Sequence, residues 1–297
     1  PDLVWIKARN QADGHNLFDI VRGTTKVIKS NNSNAELTES NSLTAFNSDG
    51  FTVGSNASNA QVNASGFTYV AWAWDAGANS SKTYTVKVVS DGGNKFRFDD
   101  FGTSAVTLDL EEGSTYVFDQ SDSSNATHPL RFATAADAAG GTEYTTGVTT
   151  TGTPGQTGAK TTITVASGAP TLYYYCSSHT GMGGQANTNS TAGASNFAGS
   201  IQSSVRANPS AGFSIVEYSA TGSTGSIGHQ LNAVPDFILA KSRTSTGSWM
   251  TYHSAYPGGT HGFNFQASTG VYTDSGYWNG ASPDSNVITL GSYTSTA

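Results

Sequence analysis

The stretch Thr83-Tyr-Thr-Val-Lys-Val-Val89 places an apolar side chain at every second position, which is the period of a half-buried β-strand. The same period recurs in short runs that end at glycine or other turn residues, at 95–98, 106–110, 115–118, 161–165 and 172–175. Many short strands at this spacing are typical of a β-sandwich or barrel. We therefore expect residues 79–190 to form an all-β domain.

The composition of the whole chain favours the same fold class. Of 297 residues, 12% are charged and 11% are aromatic, and glycine supplies 34. This aromatic content excludes a disordered chain, and the scarcity of helix-forming residues excludes a helical bundle. The net charge is −7, with no basic run, so we expect no nucleic-acid partner. No apolar stretch approaches the ~20 residues of a membrane span, so we expect no membrane insertion.

An internal repeat flanks this middle segment. Pro1-Asp-Leu-Val-Trp-Ile-Lys-Ala-Arg9 reappears as Pro235-Asp-Phe-Ile-Leu-Ala-Lys-Ser-Arg243. The first copy has a closing strand at 67–74 that the second lacks, and the second has an opening segment at 212–218 that the first lacks. Since a lone copy would leave an unpaired sheet edge, we expect either that both copies complete one sandwich or that a neighbouring chain supplies the missing strands.

Changes in residue pattern and composition along the sequence divide the chain into three predicted domains. Residues 1–78 and 200–297 are predicted to be antiparallel β-sandwich modules, and residues 79–190 form the inserted domain. The predicted linkers, 76–81 and 185–200, are rich in Gly, Ser, Asn and Ala.

Four residues of the insert are the types that bind copper. They are His128 and the cluster Cys176, His179 and Met182, spaced Cys-x2-His-x2-Met. One thiolate, two imidazoles and a thioether are the ligand types of a blue-copper centre. A His at the start of one strand, and a Cys at the end of the next-to-last strand, would meet at one end of a sandwich. We therefore expect a copper site there.

Two other interpretations of these residues stay open. The single cysteine, Cys176, excludes a disulfide framework within the chain and is also explained as a small buried hydrophobe, with His128 as an ordinary strand-edge residue. A nucleophilic pair of Cys176 and His179 is disfavoured because both lie on one loop with no orienting group assigned.

The insert resembles the cupredoxin family over residues 82–185, including Leu110-Glu-Glu-Gly-Ser-Thr-Tyr-Val-Phe118. The resemblance implies a cupredoxin-like sandwich and electron transfer through copper, with His128, Cys176, His179 and Met182 at the ligand positions. Single-copper cupredoxins usually have a longer gap between the second His and the Met. Met182 is therefore the position at which this chain departs from the family.

Other aromatic residues carry weaker predictions. Trp72 and Trp74 share one strand face, and core packing is favoured over a sugar platform. Tyr277 and Trp278, in the turn-like segment 274–280, are candidates for an exposed ligand-stacking surface. No phosphate-cradling loop, zinc spacing or paired-carboxylate site is visible in the sequence. We therefore expect a protein that is not an enzyme.

The flanking repeat resembles a module of virion structural proteins from tailed phages of marine bacteria. The resemblance rests on Asn47-Ser-Asp-Gly-Phe-Thr-Val-Gly54, Tyr69-Val-Ala-Trp-Ala-Trp-Asp-Ala-Gly77 and Ser204-Val-Arg-Ala-Asn-Pro-Ser-Ala-Gly-Phe-Ser-Ile-Val216. It implies a lectin-like sandwich at the virion surface, in a tail fibre, another appendage or a capsid decoration. The implied partners are other virion proteins, further copies of the chain and host-surface glycans. The alternatives are a copper electron-transfer protein, or an adhesin or extracellular filament subunit at the bacterial cell surface.

Overall fold

A computed structural model of the chain describes residues 1–55, 58–77, 81–138, 140, 142–188, 192–268 and 270–293. These residues form β-strands and three short 3-10 turns, at Ser123–Asn125, Ala136–Ala138 and Pro257–Gly259, and contain no α-helix. The all-β prediction is therefore confirmed. None of the helical turns in this part of the chain has the length and apolarity to span a bilayer. The chain divides into two compact units, Pro1–Ala78 with Ala207–Ala297, and Asn79–Arg206.

The first flanking segment forms an antiparallel sheet in the order β4-β3-β2-β1-β7, beside a β5-β6 hairpin. Val4 and Ile6 alternate with half-buried neighbours along β1, so one sheet face packs into a core with Phe18, Val27 and Leu43. The strands are β1 (Leu3–Ala8), β2 (His15–Asp19), β3 (Lys26–Lys29), β4 (Leu37–Thr38), β5 (Leu43–Asn47), β6 (Gly50–Val53) and β7 (Tyr69–Trp74).

The middle segment forms two sheets that share one core. Their orders are β10-β16-β15-β12 and β13-β14-β11-β8-β9. Their strands are β8 (Lys82–Ser90), β9 (Asn94–Phe98), β10 (Leu108–Asp109), β11 (Thr115–Asp119), β12 (Leu130–Ala133), β13 (Val148–Thr151), β14 (Lys160–Thr164), β15 (Leu172–Cys176) and β16 (Gly184–Asn187). After them, β17 (Ala194–Asn196) and β18 (Ser203–Asn208) pair antiparallel with each other.

Aromatic side chains fill the space between these two sheets. The sheet with β8 and the sheet with β15 both contribute to a single buried cluster, which makes the segment a β-sandwich. Members of the cluster include Tyr84, Phe98, Tyr116 and Phe118 from one sheet and Leu130, Phe132, Leu172 and Tyr174 from the other. The segments 83–89, 95–98, 115–118 and 172–175, in which apolar residues alternate, therefore form strands, and their alternating apolar side chains face the core.

The second flanking segment contributes the remaining strands. β20 pairs with β25, and β21, β22, β23 and β24 form an antiparallel sheet in that order. The strands are β19 (Phe213–Tyr218), β20 (Gly225–Gly228), β21 (Phe237–Ala240), β22 (Met250–His253), β23 (His261–Asn264), β24 (Tyr272–Thr273) and β25 (Val287–Leu290).

The two flanking segments pack into one another. Trp249, 6% exposed, lies in a buried cluster with Leu17 and Ile28 of the first segment, and its indole N–H donates to the carbonyl oxygen of Lys29 at 2.9 Å. Both flanking segments therefore contribute to one compact unit. The modules predicted at 1–78 and 200–297 both lie in it, except that residues 200–206 belong to the other unit.

A charged cluster joins the same two segments. The guanidinium of Arg243 donates to Glu36 at 2.9 Å, and that of Arg22 donates to it at 3.1 Å. Burial opposes ionisation of Glu36, but the two guanidiniums outweigh it and lower the pKa of its carboxyl. Glu36 is thereby held as a carboxylate between arginines from both segments.

The predicted core packing of Trp72 and Trp74 is wrong. Their side chains are 46% and 38% exposed. They do share one face, as predicted, but β7 is the terminal strand of its sheet. The cluster around Trp249 covers β2 and β3 on that face. Trp72 packs beside the half-buried Trp5, at 5.6 Å between ring centroids, and Trp74 stacks on Phe213 at 6.3 Å, and these contacts leave both indoles more than a third exposed.

Candidate metal centre

The register of two strands brings His128 and Cys176 to the same end of the sandwich. Cys176 is the last residue of β15, and His128 lies two residues before β12 begins. These strands pair antiparallel with Leu130 opposite Cys176. Because the start of one antiparallel strand lies beside the end of its partner, the two side chains meet.

His179 completes a group of three metal-binding side chains. The Cys176 Sγ atom lies 3.8 Å from Nδ1 of His128 and 3.6 Å from Nδ1 of His179. One ligand atom from each of the three residues lies within 4.8 Å of the others. Sulfur and nitrogen ligands bound to one ion at about 2.0–2.3 Å, with angles near 110–120°, lie about 3.6–3.8 Å apart. The observed spacing therefore fits three ligands of a shared ion.

The site is buried on two sides and open on the third. His128 is 8% and Cys176 3% exposed, whereas His179 is exposed. Burial, and secondarily the neighbouring His179, lowers the pKa of His128. A lowered pKa keeps this imidazole neutral at physiological pH, which is the form that binds a metal.

Both backbone polar groups of His128 are hydrogen-bonded. Its N–H donates to the backbone carbonyl oxygen of Asn125 at 2.8 Å, and its carbonyl oxygen accepts from the side-chain Nε2 of Gln120 at 2.9 Å. Gln120 also accepts from the Leu130 N–H at 3.0 Å, and Asn125 donates to the Val86 carbonyl at 2.7 Å. Neither Gln120 nor Asn125 was predicted from the sequence, in which their one signal is that two amide residues lie just upstream of the histidine.

Glycine allows the short loop from Cys176 to Met182 to close against β15. Gly181 has φ +73°, a left-handed conformation that glycine adopts without steric cost. A Cβ atom on Gly183 would overlap the carbonyl oxygen of Tyr174, so the chain passes too close to β15 for another residue. Met182 is 1% exposed and belongs to the same buried cluster as Cys176. The loop thus returns Met182 to the core cluster that contains Cys176.

The predicted stacking surface of Tyr277 and Trp278 is wrong. Trp278 is 1% exposed and packs edge-on against Tyr252, at 6.1 Å between ring centroids. Tyr277 is half-buried between Tyr272 and Tyr293. The turn-like composition of 274–280 correctly indicated irregular backbone, but the large indole is buried inside its unit because this removes apolar surface from water.

Comparison with known proteins places the chain in a family. The family model described as Domain of unknown function (DUF7483) matches residues 1–99 and 185–297, more than half of the chain. No curated protein and no solved structure matches the chain. All four candidate ligands lie in the segment 100–184, between the two matched parts. The chain belongs to the DUF7483 family, a domain of unknown function, and has its candidate metal centre in the segment that the family model leaves unmatched.

Proposed function

We propose that the unit Asn79–Arg206 is a copper-binding domain of the cupredoxin type. The observation that carries the proposal is the convergence of the ligand atoms of His128, Cys176 and His179, with sulfur-to-nitrogen distances of 3.6 and 3.8 Å. The sequence places these residues up to 51 positions apart. Their convergence therefore depends on the sandwich fold and is not a consequence of neighbouring positions alone.

The ligand types favour copper over other common ions. Thiolate and imidazole suit copper and zinc, whereas magnesium and calcium prefer oxygen ligands. Met182, buried in the same core cluster as Cys176, would add the soft, weak fourth ligand that is typical of blue-copper centres. Copper bound there would supply one-electron redox chemistry, and electron transfer is the activity that we propose.

Each residue has a role in this proposal. The Cys176 thiolate and the neutral His128 imidazole bind the ion from the buried side, where the sandwich core excludes water. His179 binds from the exposed side and places one edge of the site at the protein surface. Met182 supplies the weaker fourth contact. The Gln120 side chain and the Asn125 backbone carbonyl fix the backbone of His128, so that its imidazole faces Cys176 before a metal arrives.

Copper titration tests this function. We expect Cu(II) to give the protein an intense visible absorption band at one equivalent, because a thiolate bound to Cu(II) absorbs strongly. Copper should also displace zinc, following the Irving–Williams order. Competition of each ion with a chelator of known affinity gives the ratio of the copper and zinc affinities of the protein. The absence of a band, or tighter binding of zinc, would contradict the proposal.

For the unit formed by Pro1–Ala78 and Ala207–Ala297 we propose a structural role at a virion surface, with a bacterial adhesin or filament as the alternative. The supporting observation is β7, a terminal strand without charged side chains in which Ala71–Trp74 are all exposed. Exposed apolar edge strands associate with other chains. The proposed partners are further copies of the chain, other virion proteins and host-surface glycans.

Immuno-electron microscopy of phage particles and of host cells, with antibodies raised against the whole chain, distinguishes these locations. We expect gold label on a tail fibre, another appendage or the capsid surface of the particles. Label on the cell envelope alone would favour the adhesin. Label on neither would refute both placements.

A further inference from the structure

We propose that Lys95 and Asp137 are positioning residues that hold the ligand loop, residues 177–182, in place before a metal binds. The proposal rests on the copper-binding function proposed above. It concerns two charged side chains that come from different elements and bind one residue, Gly181, which lies between His179 and Met182.

Both backbone polar groups of Gly181 are held by these side chains. Its N–H donates to Oδ2 of Asp137 at 2.8 Å, and its carbonyl oxygen accepts from Nζ of Lys95. The left-handed conformation of Gly181, with φ +73°, presents its two groups to the two side chains. A side-chain donor and a side-chain acceptor therefore fix the peptide groups on either side of one residue.

Two further contacts extend this restraint along the loop. The N–H of Phe96, the residue after Lys95 in β9, donates to the Met182 carbonyl oxygen at 2.9 Å. At the other end of the loop, the Ser177 N–H donates to the Pro129 carbonyl oxygen at 3.1 Å. The loop is thus attached at its first residue, at Gly181 and at Met182, and His179 lies between the attachments.

The conformation of Asp137 supports a specific role for its side chain. Asp137 lies in the 3-10 turn Ala136–Ala138 with φ 50° and ψ 24°, in the left-handed region that is uncommon for residues other than glycine. Such conformations are kept where surrounding contacts stabilise them. The hydrogen bond to Gly181 is a contact of this kind, and it points the carboxylate at the ligand loop.

These restraints should matter for metal affinity. A loop that is already ordered loses less conformational entropy when His179 and Met182 bind an ion. Removal of a residue that orients a metal ligand typically lowers metal affinity by about 10–100-fold. We expect a loss of about 10-fold for each charged residue, because Phe96 and Pro129 still hold the loop.

Four variants test the inference. Lys95→Met removes the donor and keeps the aliphatic stem, and Asp137→Gly removes the acceptor while accepting the positive φ. Asp137→Asn keeps an acceptor oxygen and should restore wild-type behaviour. The matched control is Asp100→Gly, which also replaces an aspartate with positive φ, at 57°, and breaks a surface ion pair to Lys87 at 2.7 Å.

Two measurements are made on each variant of the full chain. The first is the rate at which iodoacetamide alkylates the metal-free protein, which reports on Cys176 alone because the chain has one cysteine. The second is Cu(II) affinity by chelator competition. We expect Lys95→Met and Asp137→Gly to raise the alkylation rate and to lower the affinity, each by about 10-fold, with Asp137→Asn and Asp100→Gly unchanged.

The outcomes separate this inference from the proposed function. If the wild-type protein binds no copper, the proposed function fails, and the alkylation rates alone decide whether Lys95 and Asp137 order the loop. If copper binds but both variants match the wild type, the positioning role is wrong. The same conclusion follows if Asp100→Gly changes affinity as much as Asp137→Gly, or if Asp137→Asn fails to restore it.

Discussion

Cys176→Ser should abolish the visible absorption band that we expect from the copper-loaded protein, while the β-sandwich stays folded. The band requires charge transfer from a thiolate, and a serine hydroxyl supplies neither the sulfur nor, at neutral pH, the anion. Serine is close to cysteine in size, and the 3% exposed side chain leaves little room for rearrangement. Absorption spectra with one equivalent of Cu(II), and far-ultraviolet circular dichroism, measure the two effects.

Met182→Leu is the matched control for this prediction. It replaces a second buried sulfur-containing side chain of the same cluster with a side chain of similar volume. Because the axial bond is the weakest in blue-copper centres, the band should persist with a small shift. A band that survives Cys176→Ser would refute Cys176 as a copper ligand. A band lost in Met182→Leu would show that Met182 is essential to the site.

Trp249→Ala should destabilise the unit formed by the two flanking segments by about 3–5 kcal/mol, the usual cost of truncating a buried aromatic side chain. Trp249 is 6% exposed, packs with Leu17 and Ile28, and donates to the Lys29 carbonyl. The substitution leaves a cavity between the segments and a carbonyl without its donor. Since all five tryptophans lie in this unit, the change in tryptophan fluorescence during urea unfolding reports on it alone.

Trp72→Ala is the control for Trp249→Ala. Trp72 is 46% exposed, so its truncation should change the free energy of unfolding by about 1 kcal/mol or less. The two variants remove the same side chain from the same unit and differ in burial. If both variants lower the free energy of unfolding equally, or if Trp249→Ala does not lower it, the conclusion that the two segments share a core is contradicted.

The sequence by itself determined the fold class and the main features of the candidate site. Period-two alternation in segments such as 83–89 and 115–118 predicted strands, because successive side chains of a strand point to opposite faces. Placing His128 before one strand and Cys176 at the end of another predicted that they share one end of the sandwich. These inferences succeeded because they depend on local backbone geometry and on antiparallel pairing.

Only the tertiary structure decided which surfaces are covered. Alternation put Trp72 and Trp74 on one face but could not show that what packs there leaves both indoles more than a third exposed. A turn-like composition placed Trp278 in irregular backbone but could not show that its indole points inward. Burial depends on what distant segments bring to a face, and local periodicity carries no information about them.

The same limit applies to the residues that support the candidate site. Lys95 and Asp137 lie 42 positions apart and meet only through Gly181. Gln120 and Asn125 cannot be told from other amide residues in the sequence until their burial and partners are known. The candidate ligands, one Cys, two His and one Met, have a chemical signature that a sequence displays. Their supports are ordinary polar residues whose function comes from their position, and that position exists only once the sandwich has formed.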